Sequence, residues 1–163
     1  MTELELQAQV ADYLRLQYPG VLFHSDFGSG IKLTMGQAIK QKRLQGGRKS
    51  WPDMFIAEGI VVDDERGQFY KGNYYPLKHV YLGLFIELKK EGTRIFKKDG
   101  TLVSDAHICE QFDMLEQLRR RGYVAEFACG FDEAKKIIDE YLGGLIKEEV
   151  EFRQANNVGV DLR

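Results

Sequence analysis

Cysteine is scarce in this chain: its 163 residues include two, Cys109 and Cys129. Two thiols cannot staple a disulfide-rich scaffold, so a reducing, cytosolic compartment is expected. Long apolar runs are missing as well. None approaches the roughly 18 residues of a membrane helix, and the opening MTELELQ is acidic where a signal peptide would be basic. No membrane association is expected. Low-complexity tracts, internal repeats and internal linkers are absent. So are the GxxxxGK[ST] phosphate loop, the GxSxG nucleophile elbow and any CxxC pair. His24, His79 and His107 are scattered without ligand spacing, and both cysteines read as small apolar residues, which leaves no zinc site and no cysteine nucleophile. Neither sign of charge dominates: the net charge is −2, which argues against bulk attraction to nucleic acid.

What is present is an ordinary core-forming composition, 44% hydrophobic and 29% charged, about one domain long. Disorder is excluded for most of the chain. The first helix is expected over Glu3 to Gln17, with Leu6, Val10, Tyr13, Leu14 and Gln17 on one face, Thr2 and Glu5 in capping-box positions, and Tyr18-Pro19-Gly20 as the stop. A strand over Val21 to Phe27, a helix over Leu33 to Leu44 and a short strand over Met54 to Ala57 follow. Gly59 to Val80 reads as an extended hairpin or surface insertion, and Tyr81 to Leu88 as a buried strand. A small hairpin joins Arg94-Ile95-Phe96 to Thr101-Leu102-Val103. Then come a helix (His107 to Arg121), a strand (Val124 to Ala128), a helix (Asp132 to Leu142), and a charged tail read as a helical extension. Strands alternating with helices predict an α/β sandwich with a mixed sheet.

The informative residues are acids in apolar places. Glu87 and Lys89 interrupt the end of LFIELKK and, two apart on a strand, project to the same face. Asp53 follows Pro52 and opens MFIA; if the two strands pair, Asp53 and Glu87 converge at one edge of the sheet. Close carboxylates repel and bind protons or a divalent metal, and a neighbouring lysine can activate water or stabilise phosphate charge. Glu3 falls within the arc of Leu6, Val10 and Leu14, whereas Glu5 points away, so Glu3 is the candidate third acid, and the choice between Glu3 and Glu5 stays open. Each element alone has a plainer explanation: Pro-Asp as a turn, Glu-x-Lys as an exposed ion pair, Glu3 as a frayed terminus.

In their order these residues resemble the PD-(D/E)xK nuclease superfamily, and within it the VRR-NUC family. The matching positions are Glu3 with Gln7, Gly46-Gly47 before Trp51-Pro52-Asp53, Phe85 to Lys89, Gln111, Gly122-Tyr123 and the closing Tyr141-Leu142. The resemblance implies a restriction-endonuclease-like three-layer sandwich, a central mixed sheet of about four strands flanked by helices. Residues 1–144 would form the nuclease domain, with an insertion around 59–80, and 145–163 a charged extension. It further implies hydrolysis of DNA phosphodiester bonds with Mg²⁺ or Mn²⁺. Asp53, Glu87 and the Leu88 backbone carbonyl would be metal ligands, joined by Glu3 directly or through water. Lys89 would orient the attacking water or stabilise the pentavalent phosphate, and Gln111 would position substrate or Lys89. Small relatives resemble Holliday-junction resolvases, which implies branched DNA as substrate, a homodimer, and a bacterial cytoplasm or the host cell of a phage. A flap or general nuclease, or a DNA-binding module that keeps the fold, is the alternative.

Family members often place a serine close before the helical glutamine; here Ser104 lies two turns upstream, so a capping role is assigned to it. Two basic stretches flank the acids. Lys40, Lys42, Arg43, Arg48 and Lys49 lead into Asp53, and Lys90 and Arg94 lead away from Lys89, as expected of a groove for the phosphate backbone. Arg119, Arg120 and Arg121 read instead as a solvated helix end that complements the helix dipole.

Overall fold

A computed structural model describes residues 1–26, 33–46, 50–70 and 73–143, with side chains omitted for 63–70 and 73–78. Ten elements follow in order: α1 (Glu3–Gln17), β1 (Phe23–Ser25), α2 (Met35–Leu44), β2 (Met54–Ile56), β3 (Ile60–Tyr70), β4 (Asn73–Tyr81), β5 (Leu84–Lys89), α3 (Ala106–Arg119), β6 (Val124–Cys129) and α4 (Phe131–Leu142). The main sheet has the order β1-β2-β5-β6. β2 runs antiparallel to β1 and β5, whereas β5 and β6 are parallel. This is the expected four-stranded mixed sheet.

Strand periodicity sorts the sheet's side chains into two cores. Met54, Ile56, Leu84, Ile86, Leu88, Val124 and Ala128 pack with Leu6, Val10 and Leu14 of α1 and with Ala134, Ile138 and Tyr141 of α4. The alternate positions, Phe85, Ala125, Phe127 and Cys129, join Met114, Leu115 and Leu118 of α3. The result is three layers, with α1 and α4 on one face and α3 on the other.

α1 begins at the expected capping box: Glu5 N–H donates to Thr2 Oγ1 at 3.2 Å and Thr2 N–H to Glu5 Oε2 at 2.7 Å. Its buried face is Leu6, Gln7, Val10 and Leu14, while Gln17, expected there, is exposed. α1 is then clamped to α4 through Asp139. Its Oδ1 accepts from Tyr13 at 2.5 Å and Tyr18 at 2.8 Å, and its Oδ2 from Lys135 at 2.6 Å.

β3 and β4 pair antiparallel, in line with the hairpin reading, but they are not a mere surface addition: Val62 and Tyr81 at their base are buried in the main core. Tyr81 therefore ends β4, and β5 starts only after Gly83. A Cβ at Gly83 would stand 2.7 Å from Phe55 Cε2 and 2.8 Å from the Ile56 carbonyl oxygen, so glycine is required there. The helix containing Gln111 is capped by Asp105, whose carboxylate accepts from the N–H groups of His107 and Ile108. Ser104 does not have the capping role expected of it; a carboxylate one residue nearer the helix reaches the free N–H groups first. Arg119 also departs from expectation. It is tied to Glu116 at 2.6 Å and to Glu126 of β6 at 2.9 Å, pinning the helix end to the sheet instead of facing solvent. Among the described residues no helix is long and apolar enough to cross a membrane. The tail from residue 144 lies outside the described residues.

Candidate functional site

The described residues include five buried polar or charged side chains: Gln7, Asp53, Glu87, Lys89 and Gln111. Burying such groups is costly unless each is compensated, and this fold gathers them at one end of the β2–β5 pair. The register explains how. Met54 pairs with Ile86, so Asp53, one step further out, stands opposite Glu87. Pro52 carries no N–H and terminates the ladder. In place of the next backbone bond, Asp53 Oδ2 accepts from Leu88 N–H at 2.8 Å. The side chain that ends β2 is thereby fastened to β5.

Glu87 and Lys89 alternate with the core residues Ile86 and Leu88 and so lie on the α3 face. Lys89 Nζ donates to Glu87 Oε1 at 2.8 Å. Gln111, from the buried side of α3, donates through Nε2 to the same oxygen. Gln111 Oε1 is buried without a hydrogen-bond partner among the described residues. Burial pushes the Glu87 carboxyl up to about 8, the Asp53 charge adds to the rise, Lys89 opposes it, and Glu3 raises it slightly.

Gln7 holds the site from the other side. Its Nε2 donates to Ser25 Oγ at 2.7 Å and to the carbonyls of Asp26 at 2.6 Å and Asp53 at 3.2 Å. One amide thus ties α1, the end of β1 and the start of β2 together. The family pattern pairs Gln7 with Glu3 but implies no role for it. The legible signal was a glutamine one turn after Glu3 on the apolar face of a helix.

Glu3 is exposed, contrary to its placing on the buried face, because the helix end lifts it past the core. Its charge nevertheless reaches Glu87, whereas Glu5 is engaged in the cap. Lys40, Lys42 and Arg43 are exposed on α2, and Lys90 and Arg94 are exposed beyond β5. Arg48 and Lys49 lie outside the described residues.

The arrangement suits a hard divalent cation in its chemistry: paired carboxylates whose repulsion a cation would relieve, and a buried amide oxygen lacking a donor. Among the described residues no three His, Cys, Asp or Glu side chains gather closely enough to hold a metal between them. An ion here would rely on two carboxylates completed by backbone, water or substrate oxygens, the usual habit of Mg²⁺.

No protein-family model matches the chain, and no curated protein does. Among solved structures, the chain is similar to a VRR_NUC domain protein, at 24% identity over 88% of this chain and 89% of that one, with a TM-score of 0.52. The likeness covers nearly the whole chain and is one of fold: a VRR-NUC-like α/β sandwich.

Proposed function

We propose that this protein is a divalent-metal-dependent DNA endonuclease that acts on branched or related DNA structures. The observation that carries the reading is the concentration of the buried polar side chains, Asp53, Glu87, Lys89 and Gln111 with Gln7 behind them, at one end of an otherwise apolar sheet. The VRR-NUC-like fold supports it.

Asp53, Glu87 and the Leu88 carbonyl would hold Mg²⁺ or Mn²⁺, with Glu3 joining through water. The ion would supply charge neutralisation at the phosphate and acidify a water molecule. The protein's own groups do the rest. Asp53 is kept in place by the Leu88 N–H and Gln7. Lys89, extended beside Glu87, delivers a positive charge where negative charge develops on the scissile phosphate. Gln111 fixes the Glu87 carboxylate and keeps its own carbonyl oxygen available to a water or to Lys89. The exposed cations of α2 and of the segment after β5 offer contacts to the phosphate backbone. Symmetric cutting of a four-way junction would need two copies, so a homodimer is part of the proposal.

The test is Mn²⁺-dependent cleavage of labelled four-way junction, flap, single-stranded and duplex DNA. Glu87→Ala and Lys89→Ala are each expected to lower the rate by about 10²–10⁴-fold. The preferred substrate separates a junction resolvase from a flap or general nuclease. Absence of any cleavage with DNA binding intact would favour a non-catalytic DNA-binding module.

A further inference from the structure

Among the described residues, the sheet face that carries Glu87 is only half covered. α3 packs over β6 and β5. α2 buries none of its residues and so does not close the rest. On the open half the register lines up a transverse row: His24 of β1 beside Phe55 of β2, and Phe55 beside Phe85 of β5. His24 is exposed, and Phe55 and Phe85 are partly so. The Phe55 and Phe85 rings stack at 4.4 Å between centroids, and Tyr123 meets Phe85 edge-on at 5.2 Å. Trp51 lies 6.3 Å from Phe85 with 38% of its surface exposed. Its indole N–H donates to the Gln45 carbonyl at 3.2 Å, at the C-cap of α2, whose last turn carries Lys42 and Arg43.

This aromatic row and the acidic pair are continuous. Phe85 and Glu87 are successive residues on one face of β5, about 7 Å apart, and Trp51 precedes Asp53 by two residues. Partly exposed rings in fixed orientations, with cations at one side and a phosphate-directed site at the other, match a nucleotide with its base free to stack. Bases inside a continuous duplex present no free face.

We propose that Trp51, backed by the mutually stacked rings of Phe55 and Phe85, is a stacking platform for an unpaired base next to the scissile phosphate. The substrate class is therefore DNA with at least one unpaired nucleotide at the cut, as at a flap or a branch point whose central pairs have opened, and not uninterrupted duplex. This rests on the nuclease reading and adds substrate choice to it.

Trp51 is the chain's single tryptophan, so its fluorescence reports on the platform directly. The full chain is titrated in EDTA, where cleavage does not intervene, with oligothymidylate and with a blunt duplex of equal length, while the anisotropy of the labelled DNA is followed in parallel. Saturable quenching by the single strand and little by the duplex is expected. Trp51→Leu is expected to weaken single-strand binding by roughly ten-fold or more, with Trp51→Phe, which keeps a ring but loses the N–H, retaining most of the affinity. Single-strand binding seen by anisotropy with unchanged Trp51 emission overturns the platform and leaves the nuclease reading standing. Equal quenching by the duplex also overturns it, as does a concentration-dependent emission shift without DNA, which would assign the face to a second copy. Absence of binding to either DNA overturns it too, while Mn²⁺-dependent cleavage judges the nuclease separately.

Discussion

Glu87 is a carboxyl group held away from water beside a second carboxylate, and its ionisation is linked to folding. In the unfolded chain it titrates near 4.5, and in the folded metal-free protein at about 8. Its contribution to stability is fully present below the lower value. It declines as pH rises between the two, because the unfolded chain gives up the proton first, and it is lost above the upper one. In EDTA the melting temperature should therefore fall across this interval, and Glu87→Gln should flatten that slope. Mn²⁺ competes with the same proton, so it should raise the melting temperature little near pH 6 and more near pH 8.5. Thermal melts across pH, with and without Mn²⁺, check both. A Mn²⁺ effect independent of pH would contradict Glu87 as a ligand. Gln7 gives a second prediction at this scale. Gln7→Leu fills the space but removes the amide's hydrogen bonds to Ser25 and to the Asp26 and Asp53 carbonyls. It should cost about 1–3 kcal/mol in denaturant unfolding and weaken Mn²⁺ binding measured by calorimetry.

At the scale of elements, Gly83 at the start of β5 and Asp139 between α1 and α4 are the positions where one substitution is most informative. Gly83 lets Phe55 and the β2 backbone approach the segment entering β5. Gly83→Ala forces backbone to move, and a loss of about 1–3 kcal/mol is expected from the unfolding midpoint, with a change in Trp51 emission as the aromatic row shifts. Asp139 joins α1 to α4. Burial raises its carboxyl, but bonds from Lys135, Tyr13 and Tyr18 outweigh this and hold it below the ordinary 3.8. Stability from a depressed carboxyl is present above that value and lost as pH falls through the folded one. Asp139→Asn should cost about 1–2 kcal/mol at neutral pH and little at strongly acid pH, as measured by urea unfolding at both.

For the whole molecule, the sequence pattern was a good guide wherever periodicity and caps act locally. The capping box of α1, its stop at Tyr18, its apolar face from Leu6 to Leu14 and the pairing of β3 with β4 all follow from neighbours close in the chain. It was a poorer guide where distant segments compete. Tyr81 looked like the start of a long strand, but its side chain is claimed by the core at the hairpin's base, and Gly83 resets the chain before β5. Ser104 yielded its cap to Asp105, and Arg119 found Glu126 on a strand.

The candidate site divides along the same line. Residue types and spacing alone determined that Glu87 and Lys89 share a strand face and that an acid opens the strand before them, because side-chain alternation is a property of the backbone. Only the tertiary structure decided that Asp53 stands opposite Glu87, that Gln111 and Lys89 meet on one carboxylate oxygen, and that Gln7 secures the start of β2. It also decided that the aromatic rings on the sheet face beside them stay partly exposed. Those facts depend on strand register and on which helix covers which strand, and both are set by long-range packing that no local pattern encodes.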